Sequence, residues 1–113
     1  MAGQVRVILE GAEGVQRSVT AIYDVGSPVS MVKQSAVRAA EVQPDTGAQF
    51  SWGTAAPVGV IGSADMTLRW TRNSAVDATF KVVPDNQLPR GVDALLGNDV
   101  IWALPCCVQA EAT

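Results

Sequence analysis

Val5, Val7 and Leu9 alternate with Arg6, Ile8 and Glu10, the period of two that a half-buried strand requires. Gly11-Ala12-Glu13-Gly14 supplies a turn, and Val15 to Tyr23 runs back as a second strand ending at Ala21-Ile22-Tyr23-Asp24. Gly26 followed closely by Pro28 forces the backbone out of the ladder, so that strand stops with Asp24 at its end. From Ser30 to Val42 the spacing of Met31, Ala36, Val37, Ala40 and Val42 predicts one short amphipathic helix, ended before Pro44. Gln49 to Val60 carries aromatics together with Gly53, Pro57 and Gly59, which predicts an exposed hairpin. Val60 to Thr71 and Ala75 to Val83 are expected strands joined by the polar turn Arg72-Asn73-Ser74, and Pro84 to Gly91 a loop. Val92 to Gly97 is an apolar run too short for a helix and closed by glycine, so it predicts a buried strand. Asn98 or Asp99 is then placed to cap a turn of helix over Val100 to Leu104, stopped by Pro105, and Cys107 to Ala110 is expected to form a last strand. The pattern is mostly β with short helices, in the closed-barrel or sandwich class.

Composition narrows the chemistry. The 113 residues are 48% apolar and 17% charged, as expected of a single domain over residues 1–113. There is no histidine, which removes Ser-His-Asp and Cys-His relays and any His-ligated zinc. Cys106 and Cys107 are adjacent, so they form neither a zinc spacing nor a disulfide framework and read as thiols in a reducing compartment. With a net charge of −3 and dispersed cations, no nucleic-acid partner is expected. Val100 to Val108 is about half a membrane span, and no signal-peptide pattern opens the sequence, so no membrane partner is expected and the location predicted is intracellular. Carboxylate, hydroxyl and lysine chemistry remains.

Asp24 is the carboxylate in the most unusual setting, ending an apolar strand and followed by Ser27 and Ser30, whose hydroxyls are positioned in sequence to hydrogen-bond it. Taken alone, an aspartate at a strand end reads as a turn residue. The wider segment Ala21-Ile22-Tyr23-Asp24-Val25-Gly26-Ser27-Pro28-Val29-Ser30 resembles the active-site segment of retropepsin-type aspartic proteases, and its Gly-Ser-Pro-x-Ser variant looks like the proteases of gypsy-type LTR retrotransposons. Val92 to Ile101, with Leu95-Leu96-Gly97-Asn98-Asp99, is similar to the late signature of that family, and Gly97 lies 73 positions after Asp24. A literal Asp45-Thr46-Gly47-Ala48 is rejected as the motif, because Asp45 follows Pro44 in a polar stretch that no buried strand delivers to a subunit centre.

The resemblance implies a mainly β, retropepsin-like closed barrel, the acid-protease fold, with one lobe per chain and a homodimer. It implies Asp24 as the catalytic residue, Val25, Gly26 and Ser27 as the active-site loop, and Trp52, Gly53, Thr54 and Ala55 in a substrate-binding flap. No metal or cofactor is implied. The substrate class is a peptide or polyprotein segment, cut in the cytoplasm or within a virus-like particle. Terminal strands around Gly3 to Val7 and Cys107 to Ala110 would interleave between subunits. One aspartate per chain demands a second copy, because two carboxyls sharing one proton are needed to activate water and polarise a carbonyl. Val25 departs from the family, which has Thr or Ser there, and so the alternative is a catalytically weak or inactive dimerisation or peptide-binding module of the same fold. Trp70 and Trp102 are expected as core or interface aromatics, Lys33 and Lys81 as solvated cations, and Arg90, Asp93 and Asp99 as surface charges.

Overall fold

The computed structural model describes residues 3–44, 49–50, 58–71 and 73–104. Period-two patterning produces the first hairpin as expected. Strand β1 (Gln4–Glu10) pairs antiparallel with β2 (Gln16–Tyr23) along its whole length, burying Val7, Leu9, Val19, Ala21 and Tyr23 while Arg6, Ile8 and Ser18 face out. Gly14 takes the left-handed conformation that closes the turn, with φ of 79°.

The segment after Pro28 departs from expectation. In place of a helix over 30–42, Met31–Lys33 is a strand, β3, followed by two 3-10 turns at Gln34–Ala36 and Ala39–Glu41 and a short strand β4 (Gln43–Pro44). Met31 and Val32 are pulled into the sheet from both sides, a tertiary pairing that outweighs the helical spacing of a few apolar residues. Two-residue strands β5 (Gln49–Phe50) and β6 (Val58–Gly59) form the base of the expected hairpin. Strands β7 (Gly62–Thr71) and β8 (Ser74–Val83) are the long antiparallel pair, with a register shift between Arg69 and Thr71.

The buried run before Gly97 is β9 (Ala94–Leu96), parallel to β2 and antiparallel to β3, while β3 runs parallel to β8. The order β1-β2-β9-β3-β8-β7, closed by β7 against β1, makes a six-stranded barrel with β4 added on β7. Side chains of Leu9, Leu68, Phe80, Val82 and Leu96 fill its interior. Helix α1 (Asn98–Ile101) closes one end by burying Val100 and Ile101. A second, smaller cluster of Met31, Val83, Leu88 and Leu95 packs on the outer side of β9 and β3. Strand β1 pairs with β2 from Gln4 to Glu10 and with β7 at Ile8 to Glu10. The expected last strand at Cys107 to Ala110 lies outside the described residues.

Candidate active site

Strand β2 delivers Asp24 to the end of the barrel, where its N–H donates to Leu96 O at 2.9 Å, the last bond of the β2–β9 pair. The chain then turns sharply. Ser27 N–H donates to Asp24 O at 3.0 Å, and Gly26 N–H donates to Asp24 Oδ1 at 3.0 Å, so the carboxylate helps hold the turn that carries it. Its second oxygen accepts no hydrogen bond from the described residues. Asp24 is half-buried, Ser27 and Ser30 are fully buried, and Val25 is 43% exposed.

Three consecutive residues after β9 grip this loop. Gly97 N–H donates to Ser30 Oγ at 2.9 Å. Asn98 N–H donates to Ser27 O at 2.8 Å, and its Nδ2 donates to Val25 O at 2.7 Å. Asp99 accepts from Ser30 Oγ at 2.6 Å and from Ser30 N–H at 3.1 Å. The crossing is so close that a Cβ at Gly97 would run into Val29 O and stand 2.7 Å from Ser27 O. The two sequence motifs 73 positions apart are therefore in direct contact.

Two local expectations are corrected. The Ser27 hydroxyl donates to Val29 O and that of Ser30 to Asp99; both are buried and donate elsewhere than to the Asp24 carboxylate. Neither Asn98 nor Asp99 caps α1 with its side chain; Gly97 is the N-cap, and both side chains are spent on the 25–30 loop.

A cleft of about 560 Å³ opens beside Asp24, lined by Gly3, Gln4, Ile22, Tyr23, Asp24, Pro89 and Val92. Apart from Gln4 and Asp24 this lining carries no amide or charged side chain, as a site for apolar side chains of an extended ligand requires. The flap residues Trp52, Gly53, Thr54 and Ala55 lie outside the described residues, as do Asp45, Cys106 and Cys107. Trp70 is half-buried against the core, whereas Trp102 is 62% exposed, one turn along from Asn98.

Other carboxylates are engaged in structure. Asp93 accepts from Lys33 Nζ at 2.7 Å and from Thr20 N–H at 2.8 Å, so Lys33 is paired and not a solvated cation. Burial pushes the Asp93 carboxyl up, but the Lys33 and Thr20 hydrogen bonds outweigh it and hold the group below the usual carboxylate range. Glu41 follows the same balance: burial raises it, but the Arg17 hydrogen bonds, 2.8 and 3.1 Å, and that from Arg38 N–H outweigh burial and hold it below the usual range. Among the described residues no group of three His, Cys, Asp or Glu stands together to hold a metal, and no helix is long and apolar enough to cross a membrane.

No protein-family model matches the chain, and no curated protein matches it.

Proposed function

We propose that the chain is one half of an aspartic endopeptidase of retropepsin type, active as a homodimer on extended segments of a polyprotein or host protein. The observation that carries this reading is the Asp24 carboxylate: one oxygen is fixed by Gly26 N–H, the other accepts no hydrogen bond from the described residues, and the group lines a mostly apolar cleft. Val25, exposed within the same loop, gives a second copy apolar surface to cover. Two Asp24 carboxyls meeting across a two-fold axis share one proton, because like charges about 3 Å apart do not both ionise. The ionised one takes a proton from water as that water attacks the scissile carbonyl, and the protonated one hydrogen-bonds the carbonyl oxygen. The proton gained then passes to the leaving amine as the C–N bond breaks.

The test is incubation with an unfolded protein at about pH 5, with and without a statine-type transition-state mimic, beside Asp24→Asn. Cleavage that the mimic blocks and that Asp24→Asn lowers by roughly 10³-fold supports the reading. Cleavage unchanged in Asp24→Asn removes Asp24 from the mechanism.

The absence of a hydroxyl at Val25 favours a second reading, a dimerisation or peptide-binding module that keeps the fold without turnover. Binding of the mimic with no cleavage at any acid pH identifies that case.

A further inference from the structure

Asn98 is the residue that the Asp24 loop leans on most directly. Its backbone N–H holds Ser27 O and its Nδ2 holds Val25 O, so one residue pins both ends of the Val25-Gly26-Ser27 turn. The loop's own side chains do not do this. Val25 has no polar atom, Ser27 Oγ is bonded to Val29 O, and Ser30 Oγ is committed to Asp99. The amide must present its nitrogen to the Val25 carbonyl, which turns Oδ1 into the protein, where it is buried and accepts no hydrogen bond from the described residues. A buried orphan acceptor weakens the fold, and such a group stands out where nearly all buried polar atoms are paired. An apolar side chain at position 98 would remove it. Its position beside the candidate catalytic carboxylate fits the rule that local conflicts concentrate where geometry is held for function.

We propose that Asn98 is a positioning residue for Asp24, fixing the Val25 carbonyl from the neighbouring strand end in place of a side-chain brace within the loop. The proposal rests on the protease reading for its effect on turnover, but not for its effect on loop geometry. When Asn98 is lost, the Val25–Ser27 turn swings more freely, and the Gly26 N–H to Asp24 Oδ1 bond, which aims the carboxylate, opens more often.

The experiment compares Asn98→Ala and the isosteric Asn98→Asp with the unaltered chain by three readouts: thermal midpoint, amide hydrogen exchange, and cleavage of an unfolded protein across acid pH. In Asn98→Ala the midpoint is expected to stay level or rise, since the orphan acceptor goes with the bond. Exchange is expected to quicken at Val25, Gly26 and Ser27 and to stay unchanged in β7 and β8. The kcat is expected to fall about tenfold or more with KM little altered, as misplacement of a reacting group dictates. Asn98→Asp, which keeps the shape but loses the donor, is expected to match Asn98→Ala in exchange and kcat. Faster exchange spread over the whole barrel with a lower midpoint would mean a merely structural role, and unchanged exchange at 25–27 would refute the proposal outright. If the unaltered chain cleaves nothing, the protease reading fails while the exchange pattern still decides whether Asn98 positions the loop.

Discussion

The parallel pair β2–β9 has an aspartate at each end, and the two are treated in opposite ways. At the start of the pair, Asp93 is bonded to Lys33 and to Thr20 N–H, while Asp93 N–H donates to Thr20 O at 2.8 Å and Lys33 N–H donates to Asp93 O at 2.9 Å. Both carboxylate oxygens are occupied, and the group ties β2, β3 and β9 together. At the finish, no cation among the described residues pairs with Asp24, whose carboxylate accepts from Gly26 N–H, while neutral donors from Gly97 and Asn98 hold the surrounding loop. Rigidity at that end comes from bonds that leave the carboxylate uncommitted. A charge neutralised by a salt bridge is stable but chemically inert, whereas a charge held by its backbone keeps an oxygen for a ligand.

The sharpest way to break the contrast is Gly97→Ala. A methyl group there collides with Val29 O and Ser27 O, and backbone on both sides leaves no flexible end to give way. A loss of about 2–4 kcal/mol in denaturant unfolding is expected. A loss below 0.5 kcal/mol, roughly that of a surface change, would show that the loop is not clamped as described.

Asp93→Asn keeps the shape of the other end and removes its charge. A cost of about 1–3 kcal/mol is expected at neutral pH, from the weakened bonds to Lys33 and Thr20. The sign with pH follows from Asp93 and Glu41 both lying lower in the folded chain than unfolded. The native state then binds fewer protons, so their stabilisation is complete above the ordinary carboxylate values of about 4 and drains away as pH falls through the lowered ones. Lys33, held above its usual value by the Asp93 hydrogen bond, contributes below about pH 10.4 and loses that contribution only as pH rises through its folded value. Thermal midpoints of the unaltered chain and Asp93→Asn should therefore converge as pH drops from about 5 toward 2. Parallel curves would mean that Asp93 does not supply the acid sensitivity.

Val25→Thr is the smallest change. It adds a hydroxyl at an exposed position of the loop, worth about 0.5–1.5 kcal/mol if a second copy offers a partner there. Sedimentation should show tighter self-association; an unchanged dissociation constant would show that position 25 braces no interface.

Much of the barrel was legible because β1, β2, β7 and β8 alternate cleanly and pair with their neighbours in sequence. Strand β9 was legible from its continuous apolar run, buried on both sides. Met31 to Glu41 was not: its apolar residues sit at helical spacings, and only pairing with residues of β8 and β9 that lie 50 or more positions on makes a strand of Met31 and Val32. The same limit applies at the site. Asp24, Gly26 and the Gly97 strand carried recognisable residue types in order, but nothing local marks Asn98 as reaching back to Val25, or Asp99 to Ser30. A cap was the expected use of one or the other, since the first turn of a helix is where Asn and Asp usually find donors. Lys33 looked solvated for the same reason, its partner being 60 residues on.

In the proposed enzyme the Asp24 carboxylate works only with its twin from a second copy. This requirement is tested most directly by mixing the unaltered chain with Asp24→Asn at constant total concentration, allowing subunits to exchange, and measuring cleavage of an unfolded protein at about pH 5. If both acids are required, activity falls as the square of the unaltered fraction, leaving about a quarter in an equimolar mixture. A fall in simple proportion to that fraction would contradict the account, because each chain would then be working alone.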